Sequence, residues 1–450
     1  MERISALGKV RQLGQHYQTQ LKEYVQPLVE QLDELLDKRL VATFVGLLDC
    51  IIRLRHQKQG LLLTELGAKL LSPDKAPAGT KRISNLIRSE HWQHHLLEEF
   101  LLEKALSQLQ EWLKAKKSVF ALWDDSVIEK HETMQSKDLC AVRSSKAKRL
   151  TRIRPGYYQK CCDKTIHVAG LQWSGVLLTT LKDAPCLLSF RWWTTRGKHL
   201  TNQGIVHQQL LKVLVERLAD SVVHVFDRGY GNSPWLTKLL HHKQRFIVRW
   251  RSSYKLLNGK GELKKTYLHS VGKKAPYQRL MNDTKTGNKL LVKLLFMTVR
   301  LPDLPDRPLT LLVCRQKRGR QPWYLLTNEP VTSEQQAWDL VLAYQRRWQI
   351  EQAFRFNKSE LALESPRLWH FENRLKLMMM VALVYAFLLS LLALDSQQDL
   401  LRYGCHRTGK RYKDAFVPLY RTRVALSYLL EVNHLLQLLL QDLLTHQNSG

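Results

Sequence analysis

The sequence predicts an α/β protein whose mixed core lies between two helical regions. Three observations support this class. Helical periodicity fills the first quarter of the chain and returns at its end, apolar runs of strand length begin at residue 118, and a basic, β-rich stretch follows the first part of the core. We therefore expect five segments: a helical N-terminal region at 1–117, the first part of the core at 118–245, a β-rich insertion at 246–335, the second part of the core at 336–395 and a helical region at 396–450.

The first segment has the pattern of amphipathic helices. Apolar residues recur every three or four positions in "QLDELLDKRLVATFVGLLDCIIRL" and in "HWQHHLLEEFLLEKALSQLQEWLKAKK". The Pro- and Gly-rich joint "SPDKAPAGTKR" separates them. Directly behind that joint, "GTKRISNLIRSEHW" predicts a basic helix that is a candidate for a DNA groove.

Two acids follow buried strands in the core. The apolar runs "SVFALWDDS" and "VVHVFDRGYGN" each predict a strand that delivers a carboxylate at its carboxyl end. A helix precedes the second run, so the two strands are expected to lie parallel and to bring Asp124 and Asp227 to the same sheet edge, where ligand sites usually form. Alternation along the strand sends Asp124 and Asp125 to opposite faces, and we choose Asp124 as the ligand.

A third acid lies in "YQRRWQIEQAFRFNK", residues 344–358. At helical spacing, Tyr344, Arg347, Glu351 and Lys358 share one face of one predicted helix. The alternative is a solvated stripe in which Glu351 pairs with Arg355. Three carboxylates suit a pair of divalent cations, which would act on a phosphodiester. The two cationic side chains would then hold phosphates, and the tyrosine would bond a phosphate or support the metal site.

The charge balance favours a polyanionic partner. Seventy Lys and Arg against forty Asp and Glu give a net charge of +30, which favours nucleic acid before a membrane surface. Residues 143–160 carry basic residues without an acid, and they predict either a contact with a DNA backbone or a disordered loop. Seven cysteines without a C-x-x-C pair, and a start without a signal peptide, favour a reduced, cytoplasmic setting.

One uncharged run, from Leu377 to Leu394, is long enough to cross a membrane. A helix enclosed on all sides by a large core has the same composition, and we favour that interpretation. The rival class is a membrane protein with a basic cytoplasmic domain, which would leave the three acids unexplained.

Taken in order, these motifs resemble those of DDE insertion-sequence transposases, in the branch marked by the signature Y-(2)-R-(3)-E-(6)-K. The signature is matched in full at 344, 347, 351 and 358, while "DDS" at 124–126 fits D-x-[ST] and "DRGY" at 227–230 fits D-x-G-[FY]. The resemblance implies an RNase H-like core in which Asp124, Asp227 and Glu351 are the catalytic metal ligands. It also implies two Mg²⁺ ions, replaceable by Mn²⁺, with water and then a DNA 3′-hydroxyl as nucleophiles.

The same resemblance implies double-stranded DNA as partner, both as terminal inverted repeats and as target, with a homodimer bound to DNA and no membrane. It implies a bacterial-type protein associated with DNA. Relatives that form hairpin ends stack a flipped base on an aromatic residue of the insertion, which makes Trp250 and Trp323 candidates, with Arg249 as a DNA contact. The histidines, including His241 and His242, show no metal-ligand spacing. An RNase H-like nuclease without strand transfer is the other rival class.

Overall fold

The chain folds into a large mixed sheet with helices on both faces. The computed structural model describes residues 2–54, 60–144, 158–162, 165–282, 289–316, 321–393, 400–401 and 418–447. Most of the basic stretch at 143–160, and residue 394 of the uncharged run, lie outside the described residues.

Five helices form the N-terminal region: α1 (Glu2–Leu35), α2 (Lys38–Arg53), α3 (Leu63–Leu70), α4 (Ala76–Arg88) and α5 (His94–Lys114). The side chain of Asp37 caps α2 by accepting a hydrogen bond from the backbone N–H of Leu40. The basic helix predicted behind the Pro- and Gly-rich joint is α4, whose apolar side buries Ile83, Leu86 and Ile87.

Within its described residues, the first part of the core contains seven strands and two helices. They are β1 (Val119–Glu129), β2 (Cys140–Arg143), β3 (Tyr158–Cys162), β4 (Thr165–Thr179), β5 (Cys186–Trp193), α6 (Gln203–Leu218), β6 (Val222–Phe226), α7 (Ser233–His241) and β7 (Arg245–Arg249). The central order is β5-β4-β1-β6-β7, with β4 antiparallel to both of its neighbours and β1, β6 and β7 parallel. The predicted parallel pairing of the two acid-bearing strands is therefore confirmed, and the arrangement is consistent with an RNase H-like core.

The β-rich insertion extends this same sheet. Its strands are β8 (Lys255–Leu257), β9 (Leu263–Lys265), β10 (Tyr277–Asn282), β11 (Lys289–Leu301), β12 (Leu304–Arg315) and β13 (Trp323–Thr327). Strand β13 pairs antiparallel with β7, which in turn pairs with β6. The predicted start of the insertion at residue 246 falls inside β7, which pairs with both β6 and β13.

The chain ends in four helices within the described residues: α8 (Glu334–Arg346), α9 (Trp348–Ser359), α10 (Phe371–Ser390) and α11 (Pro418–Gln447). A capping box between Ser333 and Gln336 starts α8. The expectation of one continuous helix over 344–358 is wrong, because a turn at Arg347 separates α8 from α9.

Helix α10 carries most of the uncharged run. Of the helices that the structure describes, it is the one long and apolar enough to cross a membrane. However, 89% of its most apolar 18-residue stretch is buried inside the protein. It packs against α2, α4, α5, α9, α11 and β5. The expectation of a core helix is thereby confirmed. Since α1 packs on α11, the two helical ends of the chain form one layer on one face of the sheet, while α6 and α7 cover part of the other.

Candidate active site

Two of the three predicted acids lie the same distance beyond the last paired residues of neighbouring parallel strands. The pairing of β1 with β6 ends where Leu122 lies opposite Val225. Asp124 and Asp227 each follow two residues later, so both carboxylates leave the same edge of the sheet. The sequence suggested that strand β1 ends at this point. In the structure it continues to Glu129, and this last part pairs with β4.

The third acid reaches the first through a shared arginine. Arg347 Nη1 lies 3.0 Å from Asp124 Oδ2, and its Nη2 contacts Glu351 Oε1. The Arg347 side chain is 14% exposed and the Asp124 side chain 15% exposed, so this contact is largely shielded from water. One cation thus joins acids that are more than 200 residues apart in the chain.

A close approach between α9 and β4 sets the position of Glu351. Phe354 lies one turn after Glu351, and its ring packs 4.4 Å, centroid to centroid, from Trp173 on β4. A Cβ added at Gly175 would come within 2.9 Å of the Phe354 ring and 3.0 Å of Phe190. Gly175 is the β4 residue opposite Asp124. The missing side chain therefore lets α9 pack close beside the first acid.

The Asp124 carboxylate is buried close to other charged side chains. Burial raises its pKa to about 7, Arg347 opposes that rise, and the neighbouring charges of Asp227 and Glu351 add to it. The charges of Asp227 and Glu351 are therefore close enough to raise the pKa of Asp124. Carboxylate oxygens are the ligands that hard divalent cations prefer, so the donor set fits a metal of that class.

Asp125 faces the other side of β1, as alternation predicted. Its Oδ1 accepts hydrogen bonds from Ser174 Oγ at 2.6 Å and from His207 Nε2 at 3.0 Å. Its Oδ2 accepts from Tyr230 at 2.7 Å and from Gln203 at 2.9 Å. Burial alone would raise the pKa of Asp125, but these donors hold it below its ordinary value. The carboxylate is therefore satisfied by protein groups.

The remaining predicted contacts divide into two groups. Arg249, Trp323, Tyr344, Arg347 and Glu351 line one cleft with a volume of about 620 Å³. Within it the Arg249 guanidinium lies 5.9 Å from the Trp323 ring, which meets the Tyr344 ring edge-on at 5.4 Å. This cleft offers cations and aromatic faces immediately beside the acids.

Two candidates lie elsewhere. Trp250 does not line that cleft; it is 4% exposed and packs against Tyr254, so its ring is a buried packing element. Lys358 lies one helix turn beyond Phe354, and its Nζ donates to Ser126 Oγ at 2.8 Å. Since Ser126 and Asp124 share a face of β1, Lys358 belongs to the same side of the strand as the acids.

A second cleft, of about 520 Å³, opens beside Asp124 and Asp227 and reaches Lys238 on α7.

Residues 196–387 of the chain match the family model described as transposase DDE domain. Residues 196–387 are therefore similar to a transposase DDE domain. The match includes Asp227, Arg347, Glu351 and Lys358 and begins after Asp124. The activity class is that of a DDE-type DNA transposase, an enzyme class that uses divalent metals.

Among solved structures, the chain is similar to a piggyBac transposase in a synaptic complex with hairpin DNA, determined by cryo-electron microscopy. The identity is 12%, the TM-score is 0.41, and the match covers 88% of this chain and 72% of that one. A search of curated protein sequences found no match.

Sequence reasoning missed three features of this transposase. It gave Arg347 to phosphate alone, whereas the guanidinium also joins two acids. It found no role for His207, because nothing in the sequence places α6 over β1. It also passed over His94 and His95, which lie beside Glu98 in a separate cluster.

Proposed function

We propose that the protein binds the ends of a mobile DNA element, cleaves phosphodiester bonds there and joins the 3′-hydroxyl ends to target DNA. The observation that carries this proposal is the meeting of Asp124 and Glu351 at Arg347, beside the register-matched Asp227. The acids come from three separate segments, and a solvated stripe on one helix would not converge in this way.

In this proposal Asp124, Asp227 and Glu351 hold two Mg²⁺ ions, for which Mn²⁺ substitutes. When bound, such a pair activates the attacking hydroxyl and stabilises the leaving oxygen. The protein's own groups orient the DNA. Arg347 has five N–H donors, of which two reach acids, so it keeps donors for a phosphate in the 620 Å³ cleft. Lys358 supplies a second cation on the same side of β1.

We assign the chain to the branch with the Tyr-Arg-Glu-Lys signature, because all four positions are matched. Tyr344, Arg347 and Glu351 line the 620 Å³ cleft, and Lys358 contacts Ser126 on β1. Tyr344 supports this assignment. Burial raises the pKa of Tyr344, so the phenol stays protonated and can donate a hydrogen bond to a phosphate. The edge-on contact with the Trp323 ring holds the Tyr344 ring in place.

The DNA partner follows from charge and shape. The net charge of +30 favours phosphate contacts, which predicts a steep fall of binding with salt. Trp323 with Arg249 is the aromatic and cationic pair that suits an unstacked base at a DNA end, and it replaces Trp250 as the preferred candidate. We propose that two copies act together on paired ends, in a DNA-associated cytoplasmic protein.

Cleavage and binding measured on matched variants test the assignment. Glu351→Gln and Asp227→Asn should abolish cleavage of end DNA in Mg²⁺ while binding holds or tightens, since each removes negative charge near phosphate. Arg347→Ala and Lys358→Ala should weaken binding. Each should also make the salt slope shallower by about one unit, because one phosphate fewer is neutralised by the protein.

Two exposed residues serve as controls for these variants. Arg355→Ala, on α9, and Asp306→Asn, on β12, should leave cleavage at the wild-type rate because both side chains are exposed. An active Glu351→Gln protein would contradict the transposase assignment. A protein that cleaves but never joins pre-cleaved ends to a target would favour the nuclease without strand transfer.

A further inference from the structure

A second cluster of metal-ligating side chains lies at the start of α5, on elements other than those that carry the three acids. His94 and His95 are the first two residues of the helix, and Glu98 follows one turn later. His94 Nε2 lies 3.8 Å from Glu98 Oε1, and His95 Nδ1 lies 3.1 Å from Glu98 Oε2. Among the described residues, the ligand atoms of these three side chains lie within 4.8 Å of one another.

His94 is the buried member of this cluster. It is 7% exposed, and its Nδ1 is a buried atom. Glu372 Oε2, in the first turn of α10, lies 3.3 Å from that nitrogen. The other oxygen of Glu372 lies 3.7 Å from His199 Nδ1. A buried imidazole is thus placed between two carboxylates, with one nitrogen toward each.

We propose that His94 Nε2, His95 Nδ1 and the Glu98 carboxylate bind one transition-metal ion, with zinc as the best match. Imidazole and carboxylate are ligands that zinc accepts in a tetrahedral site, where neighbouring ligand atoms are about 3.3 Å apart. The measured separations of 3.1 and 3.8 Å lie on either side of that spacing.

Glu372 then has the role of an outer carboxylate. A histidine bound to a metal usually donates its other ring N–H to a carboxylate or carbonyl, which fixes the tautomer and the ring orientation. His94 Nδ1 and Glu372 have that relation, and His199 orients Glu372 in turn. The charges also suit a dication, since Glu98 and Glu372 contribute two negative charges while Arg191 on β5 contributes one positive charge near Glu98.

The position of this site predicts a structural role. Helix α5 packs on both β5 and α10, so it connects the N-terminal helices to the catalytic sheet. A metal bound by α5 and supported by Glu372 would fix the start of α5 against the start of α10. The rival state is a metal-free ion-pair cluster of the same residues.

Metal retention by the full-length chain separates these two states. Asp124→Asn and Asp227→Asn are introduced together, to remove the carboxylates of the catalytic site, and the protein is stripped with a chelator. One equivalent of Zn²⁺ is then added in excess Mg²⁺, and zinc per chain is measured by mass spectrometry after gel filtration. This background should retain one zinc, and its unfolding temperature should rise on zinc addition.

Adding His95→Ala or Glu98→Gln to this background should abolish both effects, whereas His91→Ala should change neither. His95 is 73% exposed in its side chain, so its truncation removes a ligand without opening the core. His91 is an exposed histidine four residues earlier and serves as the matched control. Failure of the background to retain zinc, or equal retention by the His95→Ala protein, would overturn the proposal while leaving the transposase assignment intact.

Discussion

The two adjacent aspartates of β1 should respond in opposite ways to the same chemical change. Asparagine has the shape of aspartate without the charge, so Asp124→Asn and Asp125→Asn differ only in which face of the strand they alter. At position 124 the change removes a charge that two other acids repel. At position 125 it removes an acceptor that four donors require.

The magnitudes follow from these surroundings. Burial and like charges raise the pKa of Asp124 from 3.8 to about 7, against the effect of Arg347, so the folded protein binds this proton more tightly than the unfolded chain does. The free energy of unfolding therefore falls as pH rises from about 4 to about 7 and stays lower above that range, by about 4 kcal/mol. Asp124→Asn, which mimics the protonated form, should recover up to about 4 kcal/mol at pH 8.

Asp125→Asn should destabilise the protein by a similar amount. The amide nitrogen cannot accept hydrogen bonds, so one pair of donors loses its acceptor, either Ser174 and His207 or Tyr230 and Gln203. Two hydrogen bonds to a charged group contribute about 3 to 6 kcal/mol in total.

Thermal unfolding in a chelator at pH 8, with cleavage of end DNA measured in parallel, checks this contrast. At an unfolding entropy of about 2.1 cal/mol/K per residue, a chain of this length shifts by about 1 °C per kcal/mol. Asp124→Asn should therefore raise the unfolding temperature by up to about 4 °C while abolishing cleavage. Asp125→Asn should lower it by about 3 to 6 °C and leave partial cleavage below that temperature. A stable, inactive Asp125→Asn protein beside an active Asp124→Asn protein would refute the reasoning.

Three further outcomes are expected. Burial lowers the pKa of Lys130 to about 7, so the folded state binds fewer protons than the unfolded chain between about pH 7 and 10. The free energy of unfolding of the wild type should therefore rise by about 1.4 kcal/mol per pH unit in that range, relative to that of Lys130→Met. Denaturant titration of both proteins measures this difference. Lys81→Ala with Arg82→Ala, both exposed on α4, should weaken binding of end DNA in a fluorescence titration and reduce its salt slope, whereas unchanged binding would remove α4 from the interface. Gly175→Ala should slow cleavage at least tenfold by displacing Phe354 and with it Glu351, while Gly259→Ala, where an added Cβ meets nothing within 4 Å, should cleave normally.

Much of the sheet was predictable because its signals are local. Continuous apolar runs identify β1 and β6 as buried strands, and the helix before β6 favours a parallel pairing, so the pattern predicts that Asp124 and Asp227 leave the same sheet edge. The limit of the core was less predictable. Strand β7 reads as part of the basic, β-rich stretch, and only its pairing with β6 assigns it to the core.

The break between α8 and α9 carries no local signal. Arg346, Arg347 and Trp348 include neither proline nor glycine, and Arg347 keeps helical angles of φ −51° and ψ −31°. The turn instead coincides with the residue whose guanidinium joins Asp124 and Glu351. Such long-range contacts depend on the packing of α9 against β1 and β4, which no short pattern encodes.

The network around Asp125 gives a physical reason for the doubled acid. Beyond Leu122, β1 continues without pairing to β6, so on that side its backbone lacks the ladder of hydrogen bonds that holds the earlier part of the strand. Side chains from β4, α6 and the turn after β6 replace that ladder by converging on the Asp125 carboxylate. Fixing one residue of an extended strand also fixes the direction of its neighbour, since successive side chains point to opposite faces. The acid that faces α6 thereby positions the acid that faces Arg347, and the two aspartates form one unit with a structural half and a half that we propose to be catalytic.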